Sequence, residues 1–129
     1  MSDIHLDDAV LASLQDVMED EYPILLDTFV ADSEERLRLL HQALDEGNAQ
    51  ELRLAAHSFK GSCSNMGAVL LAGLCKELED AGRREALELA PALIEQIERE
   101  FAIVRIQLLV QDEEAVDLRA CHHRLCRQI

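Results

Sequence analysis

Asn48-Ala-Gln-Glu-Leu-Arg-Leu-Ala-Ala-His57-Ser-Phe-Lys-Gly-Ser-Cys-Ser-Asn-Met-Gly67 is the stretch in which one helical period is easiest to see. Placing its residues at roughly 100° steps with His57 at zero gathers Leu52, Ala55, Phe59, Cys63 and Met66 between roughly 160° and 240°, with Ala56 near 260°. That is a single apolar stripe, as expected of a helix with one face against a core. Asn48 is a good N-cap and Gly67 a good terminator, so the helix should run from about Asn48 to Asn65 or Met66. His57 points away from the stripe. Arg53, Lys60, Gly61 and Ser64 share its outward face, with Leu54 at the edge, because residues three and four apart lie side by side on a helix.

The same period recurs on both sides. A first segment, Leu6 to Met18, opens with Asp7 and Asp8, whose charge suits a helix N-terminus, and carries Val10, Leu11, Leu14, Val17 and Met18. A second, Tyr22 to Leu44, has Leu25, Leu26, Phe29, Leu37 and Leu40, with Pro23 in the first turn, where its missing donor costs little. Gly47 and Asn48 close it. A fourth is expected from Ala68 to Ala81, stopped by Gly82. The fifth, Glu85 to Val110, repeats Leu87, Ala90, Ile94, Ile97, Phe101, Val104 and Leu108 three and four apart, a heptad-like stripe long enough to span a bundle. Pro91 lies inside it, so the regular helix should begin there and leave Glu85 to Ala90 as a separate turn. No strand alternation competes. Long helices with short connections favour antiparallel neighbours, hence an all-α fold: an up-down four-helix bundle over residues 1–110, a short additional N-terminal helix, and a C-terminal extension over 111–129, helical or loosely ordered.

Composition agrees and excludes several functions. The chain has 129 residues, one domain by length. Acidic residues outnumber basic ones 26 to 12, a net charge of −14 that disfavours nucleic acid and anionic lipid. Apolar residues are 49% and aromatics 3%, which suits a core of Leu, Ala, Ile and Val. Apolar runs fall short of a membrane span, and Met1 to Asp8 is polar and acidic rather than leader-like, so a cytoplasmic protein is expected. Cys63, Cys75, Cys121 and Cys126 then read as reduced thiols.

His57 fits the chemistry of a phosphoryl acceptor. Neutral imidazole is a good nucleophile near pH 7, and a phosphoryl group on it brings about two negative charges that need compensation. Lys60, one turn on, can supply it. Gly61 costs a mid-helix position about 1 kcal/mol relative to Ala, which suggests a compensating role such as close approach by another protein. Ser58 and Ser64 could add hydrogen bonds to phosphate.

His57-Ser-Phe-Lys-Gly-Ser-Cys-Ser-Asn-Met-Gly67 resembles the signature of histidine phosphotransfer (Hpt) domains, His-x-Phe-Lys-Gly-Ser/Ala ending in an apolar residue and Gly. The resemblance rests on His57, Phe59, Lys60, Gly61, Ser62, Met66 and Gly67. It continues through Leu71, Leu74, Cys75, Leu78 and Glu79 to Glu100-Phe101, and spans Leu6 to Leu109 as a free-standing module. It implies a phosphorelay carrier: His57 takes a phosphoryl group from a receiver-domain aspartate of a hybrid sensor kinase and passes it to a response-regulator receiver. The receiver brings Mg²⁺ and its own lysine, so the chain itself needs no metal, no ATP site and no self-contained catalysis. By the same resemblance Lys60 is the electrostatic partner and Gly61 the close-approach position. Glu79 or Lys76 would hold the imidazole's other nitrogen, although neither is the Gln of some members. Arg53 and Ser64 are candidates to support the phosphate. The receiver would dock on an apolar patch drawn from Leu14, Val17, Met18, Leu54 and Ile24. The module is expected to be a monomer.

Other functions require residues that the sequence lacks. A di-metal carboxylate bundle needs Glu-x-x-His pairs, and no histidine has an acidic residue three before it. A kinase dimerisation domain would carry an acidic residue where Ser58 stands, and no Gly-rich ATP site follows. The tail gathers Cys121, His122, His123 and Cys126, yet lacks a Cys-x-x-Cys pair, so an extension whose Arg119, Arg124 and Arg127 lie on the acidic domain is preferred to zinc. His5 and His41 read as ordinary surface residues. The remaining alternative is an adaptor or inhibitor of the same fold that binds a kinase or receiver without carrying phosphate.

Overall fold

In the computed structural model the described residues are 4–128, with side chains described through 111. Five α-helices follow one another: α1 (Asp8–Met18), α2 (Tyr22–Asp45), α3 (Ala49–Asn65), α4 (Val69–Arg83) and α5 (Ala90–Gln128). Short 3₁₀ turns, Glu19–Glu21 and Leu87–Leu89, lead into α2 and α5. The expected all-α bundle is what the chain forms.

Helix ends follow local chemistry. Asp7 caps α1, its carboxylate accepting from the amides of Ala9 and Val10, and Asn48 caps α3 by accepting from Glu51 N at 3.0 Å. Gly47 and Gly67 adopt positive φ of 65° and 73° at the turns after α2 and α3, the conformation a residue without Cβ reaches at low cost. Pro91 acts as expected: a separate 3₁₀ turn precedes it and the regular helix starts at Ala90. Two expectations need correction. Gly82 does not stop α4, which continues to Arg83; a Cβ on Gly82 would lie 3.0 Å from Ala49 O and from Arg53 N and Cβ. The glycine serves close packing of α4 on α3. At the other end, α5 does not stop near Val110, because no Gly or Pro interrupts the chain from there to Gln128. The side chains of Cys121, His122, His123 and Cys126 lie outside the described residues.

Helices α2, α3, α4 and α5 form a ring in which each packs on its sequence neighbour and α5 returns to α2, which leaves α3 diagonal to α5. Cross-links between α2 and α5 run in opposite order along the two helices: Tyr22 to Gln111 (3.0 Å), Glu34 to Arg105 (3.8 Å) and His41 to Glu98 (2.8 Å). The pair is therefore antiparallel. The shared core is Leu40, Leu52, Phe59, Leu71, Leu78, Ile94, Ile97, Val104 and Leu108, all at most 1% exposed. Cys63 and Cys75 are free, buried thiols within it. Their mutual contact, reinforced by burial, pushes the Cys63 thiol well up, which keeps it protonated and inert.

The N-terminal segment is tied down at three points. Leu6 is buried, Asp7 N donates to Gly67 O at 2.8 Å, and His5 Nδ1 meets the Glu100 carboxylate at 2.7 Å. His5 is thus a half-buried anchor rather than an ordinary surface residue, because Glu100 is itself 8% exposed and needs a partner. These ties set α1 against the turn that ends α3. His41 is exposed, as expected, and paired with Glu98.

A histidine–glutamate–lysine site on α3 and α4

His57 stands on the outer face of α3 with its side chain 64% exposed, while Phe59, Cys63, Ala56 and Leu52 fill the inner face. The helical period alone produces this division. Across the groove, α4 presents Glu79 from its own buried face. Its carboxylate is 5% exposed, and Oε2 accepts from His57 Nδ1 at 2.8 Å while Oε1 accepts from Lys60 Nζ at 2.7 Å. Arg83, one turn further along α4, donates from Nη2 to Oε2 at 3.3 Å and from Nη1 to Asp80 at 3.2 Å. One nearly buried carboxylate therefore holds an imidazole and two cations.

The electrostatics follow from those bonds. The hydrogen bond from Lys60 lowers the Glu79 pKa most; burial pushes it up, and the bond from His57 with the nearby positive charges pulls it down again, for a net value below the ordinary one. Glu79 is consequently ionised at neutral pH. An ionised carboxylate only accepts, so Nδ1 must carry the ring proton, and this fixes the tautomer of neutral His57. Nε2 is left with its lone pair and, among the described residues, with no hydrogen-bond partner. The ring is held by one nitrogen and offers the other.

Gly61 is exposed one turn from His57, and a Cβ built on it would meet nothing within 4 Å. Among the described residues no contact explains the glycine, in contrast to Gly82.

Two comparisons with known proteins bear on this arrangement. A family model described as "Hpt domain" matches residues 24–125. The chain belongs to the Hpt family. Its fold and sequence are similar to a solved crystal structure, histidine-containing phosphotransfer protein B (HptB) from Pseudomonas aeruginosa PAO1. The identity is 71% and the TM-score 0.85, over 88% of this chain and 98% of that one. No curated protein sequence matches the chain.

Within this Hpt domain the residues picked from sequence divide into groups. His57, Lys60 and Glu79 come together. Lys76 is exposed and makes no hydrogen bond among the described residues to either His57 or Glu79, so of the two α4 candidates it is Glu79 that touches the ring. Arg53 is half-buried beside Gly82, and Ser64 is exposed; neither bonds to His57. Ser58 Oγ accepts from Nε and Nη2 of Arg36 on α2, at 3.1 and 2.9 Å. Among the apolar candidates, Val17, Ile24 and Leu54 are 80, 64 and 45% exposed, whereas Leu14 and Met18 are partly buried and pack on the core. Val17 and Leu14 line a shallow cavity on α1 with Val10, and Leu54 lines another with Leu39 and Ala43 between α2 and α3.

Arg83 and Arg36 escaped the sequence reading. A signal existed for Arg83, since Glu79 and Arg83 are four apart on one helix, the spacing of a side-by-side ion pair. Arg36 is 22 positions from Ser58, and nothing local in the sequence links them. Among the described residues no three or more His, Cys, Asp or Glu side chains gather as a metal site, and no helix is long and apolar enough to cross a membrane.

Proposed function

We propose that this Hpt domain is a cytoplasmic phosphorelay carrier that holds the phosphoryl group on Nε2 of His57. It accepts the group from the aspartyl phosphate of a receiver domain in a hybrid sensor kinase and delivers it to the receiver of a response regulator. The observation that carries this assignment is the 2.8 Å bond from Nδ1 to a buried, ionised Glu79 under a ring that is 64% exposed. In the forward step the Nε2 lone pair forms the N–P bond, the bond from phosphorus to the aspartyl oxygen breaks, and the receiver keeps its carboxylate. The ring gains positive character, which Glu79 stabilises through Nδ1–H. Lys60, 29% exposed and bonded to Glu79, is close enough to turn its ammonium toward the incoming phosphoryl oxygens, while Arg83 continues to neutralise Glu79.

Little more is required of the carrier. Phosphoryl transfer depends mainly on alignment and charge stabilisation, and in this scheme the receiver supplies Mg²⁺ and its own catalytic groups. Gly61 leaves room beside His57 for the receiver's aspartate. The apolar residues on α1, with Leu54 and Ile24, offer the surface on which the receiver seats.

The test is transfer from phosphorylated receiver domains in the presence of Mg²⁺, with acid-labile, base-stable label followed on wild type and His57→Ala. Label on wild type alone is expected. Receiver binding without label on any receiver tested would show a phosphate-independent adaptor instead.

A further inference from the structure

Arg36 on α2 is a cation without a carboxylate partner among the described residues. Arg38, Arg83, Arg99 and Arg105 each meet an acidic side chain, as expected where acidic residues outnumber basic ones 26 to 12. Arg36 instead gives Nε and Nη2 to the neutral Ser58 hydroxyl, at 3.1 and 2.9 Å, and Nη1 to the Asp32 carbonyl at 3.5 Å. These contacts occupy three of the five N–H donors of a guanidinium, the last of them weakly. A half-buried guanidinium held by neutral acceptors keeps its charge available. Ser58 is the residue after His57, so that charge is stationed at the edge of the site.

The site needs one more cation once phosphate is on it. Lys60 and Arg83 are joined by ion pairs to Glu79 and Asp80, and these positive and negative charges cancel. A phosphoryl group on Nε2 brings about two negative charges, and the ring, keeping its Nδ1 proton, becomes a cation, which leaves about one negative charge unmatched. Direction selects the group that matches it. The two nitrogens of an imidazole face nearly opposite ways, so with Nδ1 on Glu79 of α4 Nε2 faces away from α4. Arg53, Lys76 and Arg84, which also lack an ion pair among the described residues, belong to α4 or to the part of α3 that packs on Gly82. Helix α2 flanks α3 on its other side, and Arg36 stands there.

We infer that Arg36, stationed by Ser58, binds the phosphoryl group on His57 through its spare N–H donors and so holds phosphate on the carrier against return to a receiver. The inference rests on the phosphorelay reading proposed above. It adds a phosphoryl-binding residue on α2 to a site otherwise built from α3 and α4.

The partition of phosphate at equilibrium tests it. The full chain and a receiver domain share label in the presence of Mg²⁺, starting once from phosphorylated receiver and once from phosphorylated chain, until both give the same ratio of phosphohistidine to aspartyl phosphate. A residue that only docks the receiver, or only ties α2 to α3, changes both directions alike and leaves that ratio where it was. The ratio moves only with a group that treats phosphorylated and unphosphorylated His57 differently. Arg36→Ala should shift it toward the receiver about tenfold, the scale of one charge-assisted hydrogen bond. Arg36→Lys and Ser58→Ala, which keep the charge but lose the fork or its support, should each shift it less. Arg38→Ala, on the same helix but paired with Glu35, should leave it unchanged. A wild-type ratio in Arg36→Ala overturns the inference even if both rates fall, and so does an equal shift in Arg38→Ala. No label on wild type from any receiver overturns the phosphorelay reading itself, and this inference with it.

Discussion

A carboxylate that is 5% exposed and touches an imidazole, an ammonium and a guanidinium can be probed in two independent ways. The first is kinetic. Without Glu79 nothing fixes the His57 ring or its tautomer, so Glu79→Ala should lower the rate of transfer from a receiver by about 10- to 100-fold, the scale of a lost alignment. Glu79→Gln, whose amide oxygen still accepts from Nδ1–H, should lose less. The second concerns stability. The Glu79 pKa in the folded chain lies below its ordinary value, so its ionisation stabilises the fold above the unfolded value of about 4.3. That contribution is lost as pH falls through the lower, folded value. Urea melts from about pH 6 to about pH 3 should therefore show a smaller loss of stability on acidification in Glu79→Gln than in wild type. At this scale the sequence was partly legible. The outward direction of His57 follows from one helix's period, but the choice of Glu79 over Lys76 depends on how α4 is rotated against α3, which no single-helix pattern contains.

Two glycines show how differently the same residue serves two helices. Gly82 sits where α4 crosses the start of α3, and an added Cβ would strike the Ala49 carbonyl and the Arg53 backbone at 3.0 Å. Gly82→Ala should cost about 1–3 kcal/mol, the range for overpacking, seen as a lower melting temperature. Gly61 faces open space, so Gly61→Ala should leave the fold intact or stabilise it by about 0.4–1 kcal/mol, through better helix propensity and a less flexible unfolded chain. If the space beside His57 is reserved for a receiver, that same variant should transfer phosphate more slowly. Unchanged transfer in the stabilised variant would remove Gly61 from the site. Element boundaries were legible wherever a local signal set them, as at Asn48, Gly67 and Pro91. They were misread at Gly82 because its role lies in α3, a neighbour that the sequence pattern of α4 does not reveal.

The molecule as a whole separates what folds it from what it presents. The ring of α2 to α5 buries one apolar stripe from each helix, and those stripes were readable from spacing alone because a bundle core is the sum of such faces. The N-terminal anchor was not readable: His5 and Glu100 are 95 positions apart, and the need for His5 arises only because Glu100 is buried. The separation also predicts how damage spreads. Phe59 is fully buried and His57, two residues away on the same helix, is mostly exposed. Phe59→Ala should destabilise the bundle by about 3–5 kcal/mol, the range for an aromatic lost from a packed core, and lower the denaturation midpoint accordingly. His57→Ala removes one bond to Glu79 but leaves Lys60 and Arg83 to neutralise that carboxylate, so its midpoint should stay within about 0.5 kcal/mol of wild type while transfer is abolished. A large loss of stability in His57→Ala would mean that the ring props α3 against α4, and the assignment of His57 as a presented group would fail.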